Sequence, residues 1–231
     1  MLSRLLYKAS VLIISRLGLY TLRYVMYVSV LVKVASFLKF RGRLLCLDLG
    51  CGDATITRYL SRICDIVVGL DIKPYTSWYQ RGSPNMLYVV ADARRPPLRP
   101  GSTDLITIIS LLEHVPQWGD VIRESGAILK HKGFLVIQLP NLWFLIEPHT
   151  KFPLLAYLPG IVRNVIAQGT GYSDLQFDCK VGNVVEMLKH SNLRILGVYG
   201  YYHGLNPRIL RKLIPPPAYF IVAVKASKYS H

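Results

Sequence analysis

The chain of 231 residues has few acidic side chains: 13 aspartates and glutamates stand against 28 lysines and arginines, which gives a formal net charge of +15. Acidic residues are absent altogether from residues 1–40. Such an excess of positive charge is typical of proteins that contact an anionic membrane surface, a nucleic acid or an acidic substrate. The composition therefore favours an anionic partner, although a generally basic proteome would give the same balance.

Cysteine is also scarce. The four cysteines include no pair with the C-x-x-C spacing of a metal or redox site. Cys46, Cys51 and Cys64 lie in an apolar part of the chain where small side chains pack, so we expect all four residues to be reduced core thiols. Reduced thiols are typical of an intracellular compartment, and they predict a cytoplasmic protein, either free or peripheral at the inner face of the membrane.

Residues 1–40 lack an uncharged apolar run of the ~18 residues that a spanning helix needs. They also lack the small-residue cleavage site of a signal peptide. Five basic side chains instead share one helical face about 120° wide: Arg4, Lys8, Arg16, Arg23 and Lys33. Such an amphipathic extension can lie on an anionic membrane, cap a ligand cleft or form a homodimer. We predict this extension at residues 1–40 and a second domain at residues 41–231.

The clearest structural pattern begins at Leu44. The apolar run Leu44–Leu49 is followed at once by Gly50, Cys51 and Gly52, and then by an amphipathic segment. This is the strand, glycine turn and helix of a nucleotide-binding α/β unit. The third glycine of the dinucleotide fingerprint is missing, because Thr55 stands in its place.

Later segments continue the α/β pattern. Strands are predicted over Ile66–Leu70, Leu87–Val90, Asp104–Leu111, Phe134–Leu139, Leu193–Tyr199 and Ala218–Val224, and helices over Asp120–Lys130 and Val184–Lys189. The carboxyl ends of parallel strands share one edge of a sheet, where ligands bind in open α/β folds. The ligand site is therefore predicted at that edge.

Three carboxylates mark the tips of predicted strands. Asp48 stands two residues before the glycine turn, where it would repel a pyrophosphate. Asp71, at the tip of the second strand, suits the two hydroxyls of a ribose. Asp92, at the tip of the third strand, is placed to accept a hydrogen bond from an adenine amino group. The ligand so implied has a ribose and a base, no phosphate and a cationic end, as S-adenosylmethionine (SAM) has.

Five ordered motifs carry a family resemblance: Asp48-Leu-Gly-Cys-Gly52, Val-Val-Gly-Leu-Asp71, Ala-Asp92-Ala, Ser110-Leu-Leu-Glu-His-Val-Pro116 and Gly133-Phe-Leu-Val-Ile-Gln-Leu-Pro-Asn141. Over residues 43–141 the chain resembles class I SAM-dependent methyltransferases of the small-molecule "type 11" group. The resemblance implies an α/β fold with a Rossmann-like seven-stranded sheet flanked by helices, SAM as the cofactor and methyltransferase activity. It places these residues at the cofactor: Asp48, Gly50, Cys51, Gly52, Asp71, Ile72, Asp92, Ala93 and Ser110.

Candidate catalytic residues follow the fourth and fifth strands. Glu113 and His114 lie beside the expected position of the methyl group, and His149 lies on the loop after the fifth strand. We predict these three as catalytic, because a general base assists methyl transfer to a hydroxyl; Glu147 is a further candidate. Either histidine could instead be an ordinary packing or loop residue. Glu113 and His114 could hold a divalent metal, but two adjacent residues are not a metal site, so no metal is predicted.

The acceptor is predicted from residues 141–203, which are rich in aromatic side chains and could line a pocket for a lipid-like molecule. We therefore predict methyl transfer, at an oxygen atom, to a small, lipid-like or glycan-linked acceptor. The alternative of an RNA methyltransferase is supported only by the positive charge of the chain. The absence of the Asn/Asp-Pro-Pro-aromatic turn that stacks a flipped base argues against it. A non-catalytic SAM-binding protein is the third possibility, and the intact set of predicted pocket residues argues against it.

Overall fold

The computed structural model describes residues 42–80, 83–144, 149–150, 152–201 and 215–226. A seven-stranded sheet forms its centre, in the order β3-β2-β1-β4-β5-β7-β6. The strands are β1 (Leu45–Leu49), β2 (Ile66–Asp71), β3 (Met86–Val90), β4 (Thr103–Ile109), β5 (Leu129–Pro140), β6 (Leu193–Tyr201) and β7 (Ala218–Lys225). Strand β7 runs antiparallel to β5 and β6, whereas the other paired strands are parallel.

Helices cover both faces of the sheet. They are α1 (Thr55–Leu60), α2 (Ser77–Gln80), α3 (Trp118–Ile128), α4 (Gly160–Gly169) and α5 (Val181–His190), with 3₁₀ turns at Leu112–His114 and Leu155–Tyr157. The predicted seven-stranded Rossmann-like fold with flanking helices is thus confirmed. None of the helices within the described ranges is long and apolar enough to cross a bilayer. The predicted extension at residues 1–40 and the candidate Glu147 lie outside those ranges.

Burial on both faces explains the nearly continuous apolar runs of the central strands. Leu47 and Leu49 of β1 belong to the core cluster that includes residues of α3 and α5, whereas Cys46 belongs to the cluster that includes residues of α1. Alternate side chains of one strand thus reach opposite faces of the sheet. All three of these side chains are fully buried.

The cysteines differ from expectation. Cys46 of β1 and Cys64, just after α1, form a disulfide, so the prediction of four reduced thiols is wrong for these two residues. Cys51 and Cys179 are free and buried, and burial raises the pKa of both thiols. The sequence separation of 18 between Cys46 and Cys64 matches no recognisable spacing motif, and the return of the chain after α1 brings the two sulfur atoms together.

Element boundaries also shift. The helix predicted to reach Lys130 ends at Ile128, and β5 begins at the next residue. Helix α4 was not predicted, because its short sequence begins and ends with glycine and contains β-branched residues, which weaken a helical signal. The apolar segment just before it forms only the 3₁₀ turn Leu155–Tyr157.

Candidate active site

A cavity of about 440 Å³ opens at the carboxyl edge of the sheet. It lies where the strand order reverses between β1 and β4, the usual ligand position in open α/β sheets. Its volume suits a small organic ligand. Eight of the predicted site residues line it: Gly50, Gly52, Asp71, Ile72, Asp92, Ala93, Ser110 and His114.

The glycine turn uses its own N–H groups within the protein. The backbone N–H groups of Gly50 and Cys51 both donate to the carbonyl oxygen of Leu70, at 2.8 and 3.0 Å. The N–H of Gly52 donates to Asp71 Oδ2 at 2.9 Å. A phosphate-binding turn points free N–H groups at its ligand, and these three are already engaged. The turn therefore suits a ligand without phosphate.

Other residues of the cavity have the chemistry that SAM requires. A carboxylate offers about four lone pairs, and Asp71 uses two of them for the N–H groups of Gly52 and Lys73, so it can still accept from two ribose hydroxyls. Ile72 is 69% exposed and offers an apolar surface for a base. The three aspartates of the cavity wall, Asp71, Asp92 and Asp174, outnumber its two cations, Lys73 and Arg94, so the balance of charge favours a cationic ligand. The cavity thus fits SAM.

Arg94 modifies the predicted adenine contact at Asp92. Its Nε lies 3.1 and 3.0 Å from the two carboxylate oxygens of Asp92, and its Nη2 donates to Oδ2 at 2.7 Å. These hydrogen bonds lower the pKa of Asp92. Arg94 itself also lines the cavity. An adenine amino group would therefore share Asp92 with this guanidinium.

Two predicted cofactor residues lie behind the cavity wall. Asp48 is 1% exposed and accepts hydrogen bonds from the hydroxyls of Thr57 and Thr107, both at 2.7 Å, so it ties β1 to α1 and β4. Cys51 packs in a small buried cluster with Trp78, whose Nε1 donates to the Gly52 carbonyl at 2.8 Å. Neither side chain lines the cavity, so the contact of these two residues with the cofactor stays a prediction. In the structure both side chains support the glycine turn from behind it.

Asp48 should give the protein a distinctive pH dependence. Burial raises the pKa of this carboxyl from 3.8 to about 6. The native state then holds a proton that the unfolded chain releases at lower pH, so stability falls as pH rises from about 4 to 6. The shift corresponds to about 3 kcal/mol. In Asp48→Asn, the side-chain amide can accept a hydrogen bond from one threonine hydroxyl and donate one to the other. The substitution should therefore remove the decline of stability with rising pH.

Urea unfolding of both proteins at several pH values between 4 and 7 measures this difference. The free energy of unfolding of Asp48→Asn, relative to that of the wild type, should increase as pH rises, and this difference should become constant above about pH 6. Parallel curves for the two proteins would show that Asp48 ionises normally in the folded state.

The three predicted catalytic residues lie close together, and one of them, His114, lines the cavity. His149 Nε2 lies 3.7 Å and His114 Nε2 4.0 Å from Oε1 of the buried Glu113. The two imidazole rings meet edge to face with centroids 4.9 Å apart. Glu113 and His114 belong to the turn Leu112–His114, which follows β4, and His149 lies on the loop after β5. Residues from two separate segments thus form one polar cluster.

Two residues of this site, Asp174 and Gln138, were not predicted, and Tyr172 was predicted only as one of the aromatic side chains of residues 141–203. Asp174 Oδ2 lies 2.8 Å from His114 Nδ1, and the Tyr172 ring lies 5.3 Å from the His149 ring. Gln138 Oε1 accepts a hydrogen bond of 2.6 Å from the hydroxyl of Ser110, a non-glycine residue with φ of 50°. Asp174 and Tyr172 lie about 60 residues after His114, without a motif that would link them to it. The unusual φ of Ser110 marks a strained position of the kind found at functional sites.

Comparisons with known proteins agree with this geometry. The family model described as "Methyltransferase domain" matches residues 47–137. A ubiquinone biosynthesis O-methyltransferase of Xanthomonas euvesicatoria pv. vesicatoria is 30% identical over 161 residues, which are 67% of this chain and 64% of that protein. A protein of the same name from Albidiferax ferrireducens is 27% identical over 134 residues, covering 54% of this chain and 50% of the relative. The chain thus spans between half and two thirds of these relatives.

Solved structures show the same fold. An S-adenosylmethionine-dependent methyltransferase from Mesorhizobium loti superposes with a TM-score of 0.62 at 18% identity, covering 79% of this chain and 91% of that one. The family match begins inside β1 and ends inside β5, so it includes the glycine turn, the three acidic strand tips and the turn that carries Glu113 and His114. Residues 47–137 thus match the methyltransferase domain, and the described fold is that of class I SAM-dependent methyltransferases.

Proposed function

We propose that this protein transfers a methyl group from SAM to an oxygen atom of a small, lipid-like acceptor. The observation that carries the proposal is the cluster of Glu113, His114 and His149, of which His114 lines a cavity that suits SAM. A hydroxyl acceptor must lose a proton during methyl transfer, and imidazole and carboxylate groups are the side chains that promote such a loss. The names of the relatives, ubiquinone biosynthesis O-methyltransferases, agree with an oxygen acceptor.

The chain's own residues supply binding and alignment. SAM, when bound, supplies a methyl group that is already activated by its sulfonium. Asp71 would hold the ribose and Ile72 the base, which fixes the direction in which the methyl group points. His114 lines the same cavity, where an acceptor oxygen has to align with the methyl–sulfur bond. Such alignment is the main requirement of the reaction.

Helix α4 supports a lipid-like acceptor. Its side chains Ile161 and Val165 are 82% and 63% exposed, and the neighbouring Tyr157 is 59% exposed. An apolar surface of this kind is unusual for a side of a protein that faces only water. The helix ends at Gly169, three residues before Tyr172 and five before Asp174, so the apolar surface is continuous in sequence with the candidate site.

Incubation with radiolabelled SAM and fractionated extract of the source organism tests the proposal. The label is expected in an extractable lipid or apolar small-molecule fraction. Label in RNA would support the nucleic-acid alternative, and SAM binding without any transfer would support a non-catalytic protein. An Asp71→Ala variant, which should bind SAM poorly, gives the background for every fraction.

Contact with an anionic membrane is a further part of the proposal, and it rests on the basic face of residues 1–40. Each basic group near an anionic surface contributes about 1 kcal/mol, so five would give strong, salt-sensitive attachment. The full chain should co-sediment with anionic liposomes at low salt and be released at high salt. Deletion of residues 1–40 should abolish sedimentation. Replacement of the five basic residues by glutamine should weaken it without removing the apolar face.

If the full chain stays in the supernatant with anionic vesicles at low salt, residues 1–40 are a cap or dimer element rather than a membrane contact. If the deletion variant still sediments, α4 becomes the membrane-facing surface, and an Ile161→Ser, Val165→Ser variant should then release it.

A further inference from the structure

Glu113 is a buried carboxylate whose surroundings leave it unsatisfied. The residue is 0% exposed, and neither of its carboxylate oxygens has a hydrogen-bond partner among the described residues. Burial of a carboxylate without hydrogen bonds or a counter-ion is strongly unfavourable. Native proteins rarely leave such a group without a role or an unseen partner. Either a bound proton or a cation next to Glu113 would remove this cost.

The two nearest imidazoles are spaced as ligands rather than as hydrogen-bond partners. His149 Nε2 and His114 Nε2 lie 3.7 and 4.0 Å from Glu113 Oε1, beyond hydrogen-bonding distance. One ligand atom from each of the three residues lies within 4.8 Å of the other two. Atoms bonded to one ion at about 2.1 Å lie about 3 to 4.2 Å apart, so small side-chain shifts would complete the set.

Asp174 gives an independent reason to regard His114 as a ligand. Its Oδ2 lies 2.8 Å from Nδ1 of His114, so the Nδ1–H donates to the carboxylate and the lone pair of Nε2 points at the cluster. Metal-binding histidines commonly donate their second ring N–H to a carboxylate in this way, which fixes both the tautomer and the ring orientation.

We propose that Glu113, His114 and His149 bind a divalent transition-metal ion, with Zn²⁺ the ion that best matches their chemistry. Two imidazoles and one carboxylate are a typical zinc set, whereas Mg²⁺ and Ca²⁺ take mainly oxygen ligands. Three protein ligands leave one position open for the substrate. This position would lie beside the cavity, since His114 also lines the cavity.

The inference rests on the proposed function, for which it supplies the way the acceptor is activated. The acceptor oxygen takes the open position, and its hydroxyl proton leaves to water because the ion lowers the hydroxyl pKa. The oxygen then forms a bond to the methyl carbon. The carbon–sulfur bond breaks, and its electron pair stays on sulfur, so SAM becomes a neutral thioether. The metal ion is neither oxidised nor reduced.

The test uses the purified full chain and Zn²⁺ alone, without SAM or acceptor. Calorimetric titration after chelator treatment should show one Zn²⁺ bound per chain, and Glu113→Gln should lower the affinity by at least about 100-fold because an anionic ligand is lost. Asp174→Asn should lower it by about 10- to 100-fold, since the partner of a ligand is weakened. His190→Ala, at an exposed histidine at the end of α5, should match the wild type.

A second readout covers the case in which Glu113→Gln fails to fold. Co²⁺ bound by the wild type should give visible absorption of a four-coordinate site, and Asp174→Asn and His149→Ala should reduce it. A wild-type chain that binds Zn²⁺ no more tightly than these variants overturns the inference. Because binding is measured without methyl transfer, this failure would leave the proposed function standing. Conversely, a metal-binding chain that labels no acceptor would contradict the function alone.

Discussion

Replacement of His149 by alanine is expected to lower turnover on the identified acceptor by about 10²–10⁴-fold. The physical reason is the position of this imidazole, whose Nε2 lies 3.7 Å from Glu113 and whose ring packs against His114. His149 is not among the residues that line the cavity itself, so SAM affinity should change little. Single-turnover assays at saturating SAM, with calorimetry for SAM binding, separate the two effects.

His114→Ala should produce a loss of the same order, because both histidines belong to one cluster. Effects within such a cluster are not additive, so the double variant should lose little more than either single variant. His190→Ala is the control for the removal of an exposed histidine far along the chain. Full activity in both cluster variants would mean that neither histidine takes part in the reaction.

Asp71→Ala is expected to weaken SAM binding by about 1.5–3 kcal/mol, or about 10- to 150-fold. Two contacts are lost together. The carboxylate is proposed to accept from the ribose hydroxyls, and its Oδ2 also accepts from the Gly52 N–H at 2.9 Å and so holds the glycine turn. Isothermal titration with SAM measures the loss directly.

Two further variants separate these contributions. Asp71→Asn keeps a neutral acceptor for the Gly52 N–H, so it should lose less SAM affinity than Asp71→Ala. The loss that remains measures the contribution of the charged hydrogen bonds to the ribose. Asp53→Ala removes an exposed carboxylate next to the same turn and should leave affinity close to that of the wild type. Unchanged SAM affinity in Asp71→Ala would place the cofactor somewhere other than this cavity.

The sequence determined the strands and the position of the site. Apart from Asp48, the run Leu44–Leu49 is apolar on both alternate faces because β1 lies between two helical layers, and that pattern is visible without coordinates. Gly50 shows why the turn needs glycine: its φ is 70°, and a Cβ there would lie 2.6 Å from a methyl carbon of Leu111. The acidic tips Asp71 and Asp92 follow from their places after parallel strands, whose carboxyl ends share one edge.

Only the tertiary structure decided which polar groups meet. Asp48 looked like a ligand contact because it ends a strand near the glycine turn, yet the threonines of α1 and β4 enclose it completely. The Cys46–Cys64 disulfide depends on the path of the chain from β1 through α1, which brings two distant residues together. Strand and helix patterns are local, whereas these contacts depend on side-chain directions that packing fixes afterwards.

In the candidate site, too, some residues could be predicted from the sequence and others only from the tertiary structure. Glu113 and His114 were recognised because they follow β4 directly, and His149 because it follows β5. Asp174 comes from the segment between α4 and α5, and its carboxylate reaches His114 across 60 residues of sequence. Periodicity and spacing decide where a strand ends. Packing of the connecting segments decides that the carboxylate of Asp174 orients the imidazole of His114, and that the buried carboxylate of Glu113 has no hydrogen-bond partner among the described residues. Such contacts exist only once the chain is folded.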